Sequence, residues 1–97
     1  MAFVQIMEIR TSKFDEIQKL EDKWRAATEG KRTLRRSIVA RDRNDVTRYL
    51  IFAFFDSFES AMENSNLPET SEFGVGQSAF VDGPVSFTDL DVISDQA

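Results

Sequence analysis

Residues 3–11, FVQIMEIRT, carry apolar side chains on both faces of an extended chain, with Phe3, Met7 and Ile9 on one and Val4 and Ile6 on the other. A strand apolar on both sides belongs in the middle of a sheet. From Phe14 the period lengthens. Phe14, Ile17, Leu20, Trp24 and Ala27 recur at helical spacing, the stripe of an amphipathic helix with a period of about 3.6. Ser12 and Asp15 form an S-x-x-D capping signal ahead of it. Asp15–Lys19 and Glu21–Arg25 are i,i+4 pairs in the favourable order, and Gly30 is a natural C-terminal stop.

Alternation returns at residues 33–42, where Leu34, Ile38 and Ala40 oppose Arg35, Val39 and Arg41, and predicts a half-exposed strand. DRND at 42–45 is a turn by composition. Residues 47–55, TRYLIFAFF, are a second strand apolar on both faces. Asp56 or Ser57 then caps a short helix carrying Phe58, Ala61 and Met62, which residues 64–67 interrupt. Pro68 suits the first turn of another helical piece containing Phe73 and Phe80. Gly74 and Gly76 weaken that piece by about 1 kcal/mol each relative to alanine. Gly83-Pro84 turns the chain into a last strand over 85–93. Phe52, Phe54, Phe55, Phe58, Phe73, Phe80 and Phe87 are assigned to core and interface.

The predicted order is β-α-β-β-α-β, an α+β domain of the ferredoxin-like type with a four-stranded antiparallel sheet. That topology puts strands one and three in the centre, and they are the two that are apolar on both faces. The domain is expected over residues 1–93, with a polar tail at 94–97.

Size and composition narrow the function classes. Ninety-seven residues make one domain that buries roughly 60–65% of its unfolded surface. The sequence contains neither Cys nor His. Disulfides, a thiolate nucleophile, the usual zinc sites and a histidine base are therefore out of reach, and no metal or cofactor is expected. The opening MAFVQIMEIR lacks the basic and apolar regions of a signal peptide, and no apolar run approaches the ~20 residues of a membrane span. A cytoplasmic location is the expectation.

Charge is divided unevenly. Residues 1–48 hold all 12 Lys and Arg against eight acids, +4, whereas residues 49–97 hold nine acids and no base, -9. Six arginines fall in the seventeen residues RTLRRSIVARDRNDVTR at 32–48. No aromatic residue lies between 25 and 48, so the stacking partners of a nucleic-acid surface are missing and none is expected to bind. A charged edge strand that resists aggregation is one reading. The other is a homodimer in which a basic second strand meets the partner's acidic fourth strand, VSFTDLDVI, with Asp89 and Asp91.

The strand-to-helix passage YLIFAFFDSFESAMENS, the interrupted helix NSNLPETSEF and the closing DGPVSFTDLDVI give the chain its likeness to a known group. It resembles the dimeric α/β-barrel superfamily, in particular its small domains of the antibiotic-biosynthesis-monooxygenase type. The resemblance implies a homodimer packed sheet against sheet, with a cavity between helices and sheet in each subunit. It also implies chemistry on a small apolar or aromatic metabolite, cofactor-independent if oxidative. The haem-degrading branch uses Asn, Trp and His together, and the histidine characteristic of the second helix falls near Asn64 here.

Asn64 and Tyr49 are the candidate catalytic residues, holding a substrate that activates oxygen as its own carbanion or phenolate. Asn64 sits at a helix break, where an amide suits a carbonyl or oxyanion; Asn also favours such breaks for purely local hydrogen bonding. Trp24, Gln5, Glu8 and Phe73 are the candidate ligand-binding residues. Glu8 would serve as a base if the cavity desolvates it, or else pair with an arginine of the second strand. The alternative function is a non-catalytic homodimeric module for ligand binding or assembly.

Overall fold

A computed structural model describes residues 2–97. The chain forms β1 (Phe3–Arg10), α1 (Phe14–Ala27), β2 (Arg36–Arg41), β3 (Arg48–Phe55), α2 (Phe58–Ser65), α3 (Pro68–Ser78) and β4 (Ser86–Asp91). The sheet is antiparallel in the order β2-β3-β1-β4. The two doubly apolar strands are central, as their patterning requires, and the fold is the expected ferredoxin-like α+β arrangement. The helices cover one sheet face. Phe3, Ile9 and Phe55 are buried beneath them, with Phe3, Phe55 and Ala61 forming one core cluster.

Local chemistry explains where the elements differ from expectation. Ser12 does not cap α1. The N-cap is Lys13, with no side-chain bond. Thr11, fully buried at the end of β1, accepts from the Lys13 N–H at 2.9 Å and donates to the Phe80 carbonyl at 2.5 Å. The buried hydroxyl serves the turn because the neighbouring Ser12 faces solvent. The Asp15–Lys19 pair is replaced by Lys19–Glu16, while Glu21–Arg25 forms at 2.9 Å.

Strand β2 begins later than its pattern predicts, because Thr33 leaves the sheet for α2. Its N–H donates to Asn64 Oδ1 at 3.2 Å and its hydroxyl to the Ser60 carbonyl. Ser57, not Asp56, caps α2 through a reciprocal box with Ser60. The interruption falls at Asn66 and Leu67, and Pro68 opens α3. Phe80 lies just beyond α3. Two phenylalanines assigned to core and interface lie outside the core of the single chain. Phe58 and Phe87 are exposed, although the Phe58 ring meets Phe3 edge-on at 5.6 Å.

Helix α1 packs chiefly on α3. Gly76 allows this, since a Cβ there would come within 3.2 Å of a Leu20 methyl. Toward the sheet, α1 is held at its two ends. Phe14 stacks on Tyr49 with ring centroids 4.4 Å apart, and Arg25 Nη2 donates to Ser37 Oγ of β2 at 3.0 Å. Between those supports the helix stands off the sheet.

Candidate functional site

The gap under α1 is a cavity of about 440 Å3, within the range of roughly 300–1,000 Å3 common for small-molecule sites. Each wall follows from a local repeat. Helix α1 contributes Phe14, Ile17, Glu21 and Trp24; α3 contributes Thr70, Phe73, Gly74 and Gln77. The α3 set is spaced i, i+3, i+4, i+7, one face of a helix. The floor is the helix-side sheet face, where Gln5 and Met7 of β1 lie beside Ile51 and Ala53 of β3 and Phe87 of β4. Asn64 closes the α2 end.

Four of the six sequence-predicted site residues meet here: Trp24, Gln5, Phe73 and Asn64. The Trp24 indole N–H donates to Thr70 Oγ1 at 3.0 Å, and that hydroxyl donates to the Asn64 carbonyl at 2.7 Å. This relay joins α1, α3 and the end of α2. The Arg32 guanidinium lies 5.9 Å from the centre of the Trp24 ring and donates to the Arg25 carbonyl, close enough for a cation–π contact. Asn64 is only 8% exposed. Its Oδ1 accepts from Thr33, no hydrogen bond among the described residues engages Nδ2, and the residue lies in the cavity wall.

Tyr49 and Glu8 do not join this group. Tyr49 stands behind Phe14, stacked on it, and is not part of the cavity wall. Glu8 projects from the opposite sheet face, because neighbouring strand residues alternate sides. Its carboxylate takes two hydrogen bonds of 3.1 Å from Arg48 of β3, rather than from an arginine of β2. Those bonds hold its carboxyl below the ordinary value, the reverse of the rise a desolvated base requires. The one carboxylate on the cavity wall, Glu21, is bonded to Arg25. Among the described residues no cluster of three or more acids could hold a metal ion, and no helix is long and apolar enough to cross a membrane.

Thr70 and Gln77 escaped the sequence reading. Gln77 is 4% exposed, with Nε2 3.8 Å from Met7 Sδ. Two glycines obscured the helical pattern of α3. Counting from Pro68 as the first helical residue would have aligned both polar side chains with Phe73.

The arginine stretch is partly consumed within the chain. Arg35 binds Asp56 through two bonds of 2.6 and 3.0 Å, Arg48 bridges Glu8 and Asp42, and Arg32 packs on Trp24. Among the described residues Arg36, Arg41 and Arg43 enter no ion pair.

No family model matches the sequence, and no curated protein matches it. Solved structures do. SnoaB, described as a cofactor-independent oxygenase from Streptomyces nogalater, superimposes with a TM-score of 0.80 at 9% identity, covering 97% of this chain and 95% of that one. A protein of Caulobacter crescentus, named as a candidate antibiotic biosynthesis monooxygenase, gives 0.82 at 11% identity over 96% and 91% of the two chains. Rv0793 from Mycobacterium tuberculosis gives 0.80 at 13% identity over the whole of both. The chain therefore has the ferredoxin-like fold of antibiotic-biosynthesis-monooxygenase-like proteins.

Proposed function

We propose that the protein is a small-molecule enzyme of the cofactor-independent oxygenase type, acting on an apolar or aromatic metabolite held between α1 and the sheet. The observation that carries this reading is Asn64, a nine-tenths-buried amide in the wall of a largely apolar cavity, its Oδ1 engaged and its Nδ2 donor unpaired within the described residues. A donor fixed in a poorly hydrated site stabilises developing negative charge on a substrate oxygen far better than water does. The substrate would carry an activated methylene beside a carbonyl or phenol. Loss of one proton to water at the open mouth leaves a carbanion, delocalised onto the oxygen that Asn64 holds. The carbanion forms a C–O bond to O2, giving a peroxide. Departure of the second C–H proton with O–O cleavage leaves a carbonyl and water, so the substrate supplies every electron. Tyr49 acts only through Phe14, as a positioning residue.

Glu21 favours a second reading. Because Arg25 engages it, the wall offers no free carboxylate to accept a proton, which suits a module that binds its ligand without altering it. Native mass spectrometry of the protein purified from its host tests both. The enzymatic reading expects a retained small molecule that consumes one O2 per molecule converted. Recovery of the ligand unchanged in aerobic buffer overturns it.

A homodimer is part of the proposal. The sheet face away from the helices presents Val4, Ile6, Leu50, Phe52 and Phe54, crossed by the Glu8–Arg48 pair. Apolar area of this kind is the main source of association energy. Arg36 and Arg41 line one margin of the sheet and Asp89 and Asp91 the other. Since Asp89 and Asp91 project on the helix side, opposite-charge pairing would run edge to edge around a two-fold axis.

A further inference from the structure

From the hydrogen-bond accounting of the cavity we infer that Gln5 and Gln77 form an acceptor pole, selecting a ligand that presents a hydroxyl or N–H opposite its Asn64-bound oxygen. The inference rests on the small-molecule cavity proposed above. Four neutral amides line the space: Gln5, Gln18, Asn64 and Gln77. Gln18 is exposed on α1 and spends its NH2 on Asp22 at 3.0 Å, so the more buried three, Gln5, Asn64 and Gln77, define the poles. An amide offers a carbonyl oxygen and an NH2 group, and its partners decide which end is which. Asn64 receives the Thr33 backbone N–H, so the receiving atom is its oxygen and the NH2 is left over. Gln5 bonds the Asp89 carboxylate at 2.9 Å. A carboxylate only accepts, so the NH2 of Gln5 is spent there and its oxygen is left over. Gln77 sets its nitrogen against the thioether of Met7 at 3.8 Å, again an acceptor only, and its oxygen is left over.

None of these three leftover atoms is sealed from accessible space, and no hydrogen bond within the described residues reaches them. The two oxygens belong together. Gln5 and Met7 are two apart on β1 and share the helix-side face, and Gln77 rests on Met7. Asn64 lies by the first turn of α3, where Thr70 bonds its backbone carbonyl, and from Thr70 to Gln77 the helix rises about 10 Å. Between the poles the wall is Phe73, Trp24, Ile51 and Ala53. The ligand this describes is an elongated apolar or aromatic body, with an acceptor oxygen at one end and a donor at the other. An ionised group at the donor end is disfavoured if anionic, since it would meet two amide oxygens with Asp89 behind them.

Trp24 is the only tryptophan in the sequence and lies in the wall, so its fluorescence reports occupancy. The probes are 2-acetyl-6-hydroxynaphthalene and its 6-methoxy counterpart, similar in shape and differing in the donor. The wild-type protein should bind the hydroxyl form at least about tenfold more tightly. The variant Gln5→Met/Gln77→Met, with circular dichroism and a thermal melt to establish folding, should bind the two probes within about twofold of each other. Equal affinity of the wild-type protein for both probes overturns the acceptor pole while leaving the cavity reading in place. Failure of both probes to quench Trp24 or raise the melting temperature overturns the cavity reading and the inference with it. Should the double variant fail to fold, the single variants Gln5→Met and Gln77→Met carry the comparison, and selectivity retained in both overturns the assignment.

Discussion

Thr70 Oγ1 accepts the indole N–H of Trp24 at 3.0 Å. The contact joins the C-terminal part of the cavity-facing α1 stripe to the first turn of α3, and the same hydroxyl donates a hydrogen bond to the Asn64 backbone carbonyl. A single hydroxyl thus sets the spacing of the two helices that wall the cavity. Trp24 is 7% exposed, so its N–H has no ready substitute in water. Thr70→Val keeps the shape and removes the acceptor. Urea unfolding should show a loss of about 1–2 kcal/mol, with a changed Trp24 emission in the folded state. An unchanged midpoint and spectrum would mean that the relay contributes nothing to the wall.

The two glycines of α3 should answer alanine differently. At Gly74 an added Cβ meets nothing within 4 Å, so Gly74→Ala should stabilise the protein by about 0.5–1 kcal/mol through helix propensity and lost unfolded-state freedom. At Gly76 the Cβ would press on Leu20 at 3.2 Å, so Gly76→Ala should show less than the Gly74 gain, or a loss. Chemical denaturation of both variants compares them directly.

Asp45 makes acid stability a sharp observable. Hydrogen bonds from the Thr47 hydroxyl, then from Arg10 and the Thr47 backbone, lower its carboxyl to about 2. The unfolded chain titrates the same group near ~3.9. The stabilisation is therefore complete above the unfolded value and is lost as pH falls from about 4 toward 2. Asp45→Asn should be less stable than wild type near neutrality and show a shallower decline in melting temperature over that interval. Equal slopes in the two proteins would remove Asp45 from the account.

The open sheet face is the place to test assembly. Light scattering should give twice the subunit mass at micromolar concentration, with dissociation favoured by Phe52→Glu, which puts a charge amid Ile6, Leu50 and Phe54. Salt should change the association rate more than the dimer mass, because exposed ion pairs contribute only ~0–1 kcal/mol each. A monomer in both low and high salt overturns the dimer.

Much of the architecture is legible in local pattern. Phe3, Met7 and Ile9 against Val4 and Ile6, and the same double face at residues 47–55, place β1 and β3 centrally without reference to any distant contact. Side-chain period and burial are properties of short segments, and a strand hidden on both faces has few positions available in such a sheet. The helical stripe from Phe14 to Trp24 and the break before Pro68 follow from the same local rules, whereas the cavity around which Trp24, Gln5, Phe73 and Asn64 lie was implied by the family resemblance and not by local pattern.

What tertiary structure decided is the use of each polar group, because that depends on partners remote in sequence. Whether Glu8 is a buried base or an ion-pair partner turns on which sheet face it shares with Arg48, forty positions away. Whether an amide offers its oxygen or its nitrogen to a ligand turns on Thr33, Asp89 and Met7, and no periodicity encodes those pairings. The charge division is likewise reshaped in three dimensions. Arg32, Arg35 and Arg48 are spent inside the chain, leaving Arg36, Arg41 and Arg43 outside its ion pairs. Hydrophobic period is written residue by residue and survives reading in one dimension; hydrogen-bond complementarity belongs to pairs and exists only once the chain has brought them together.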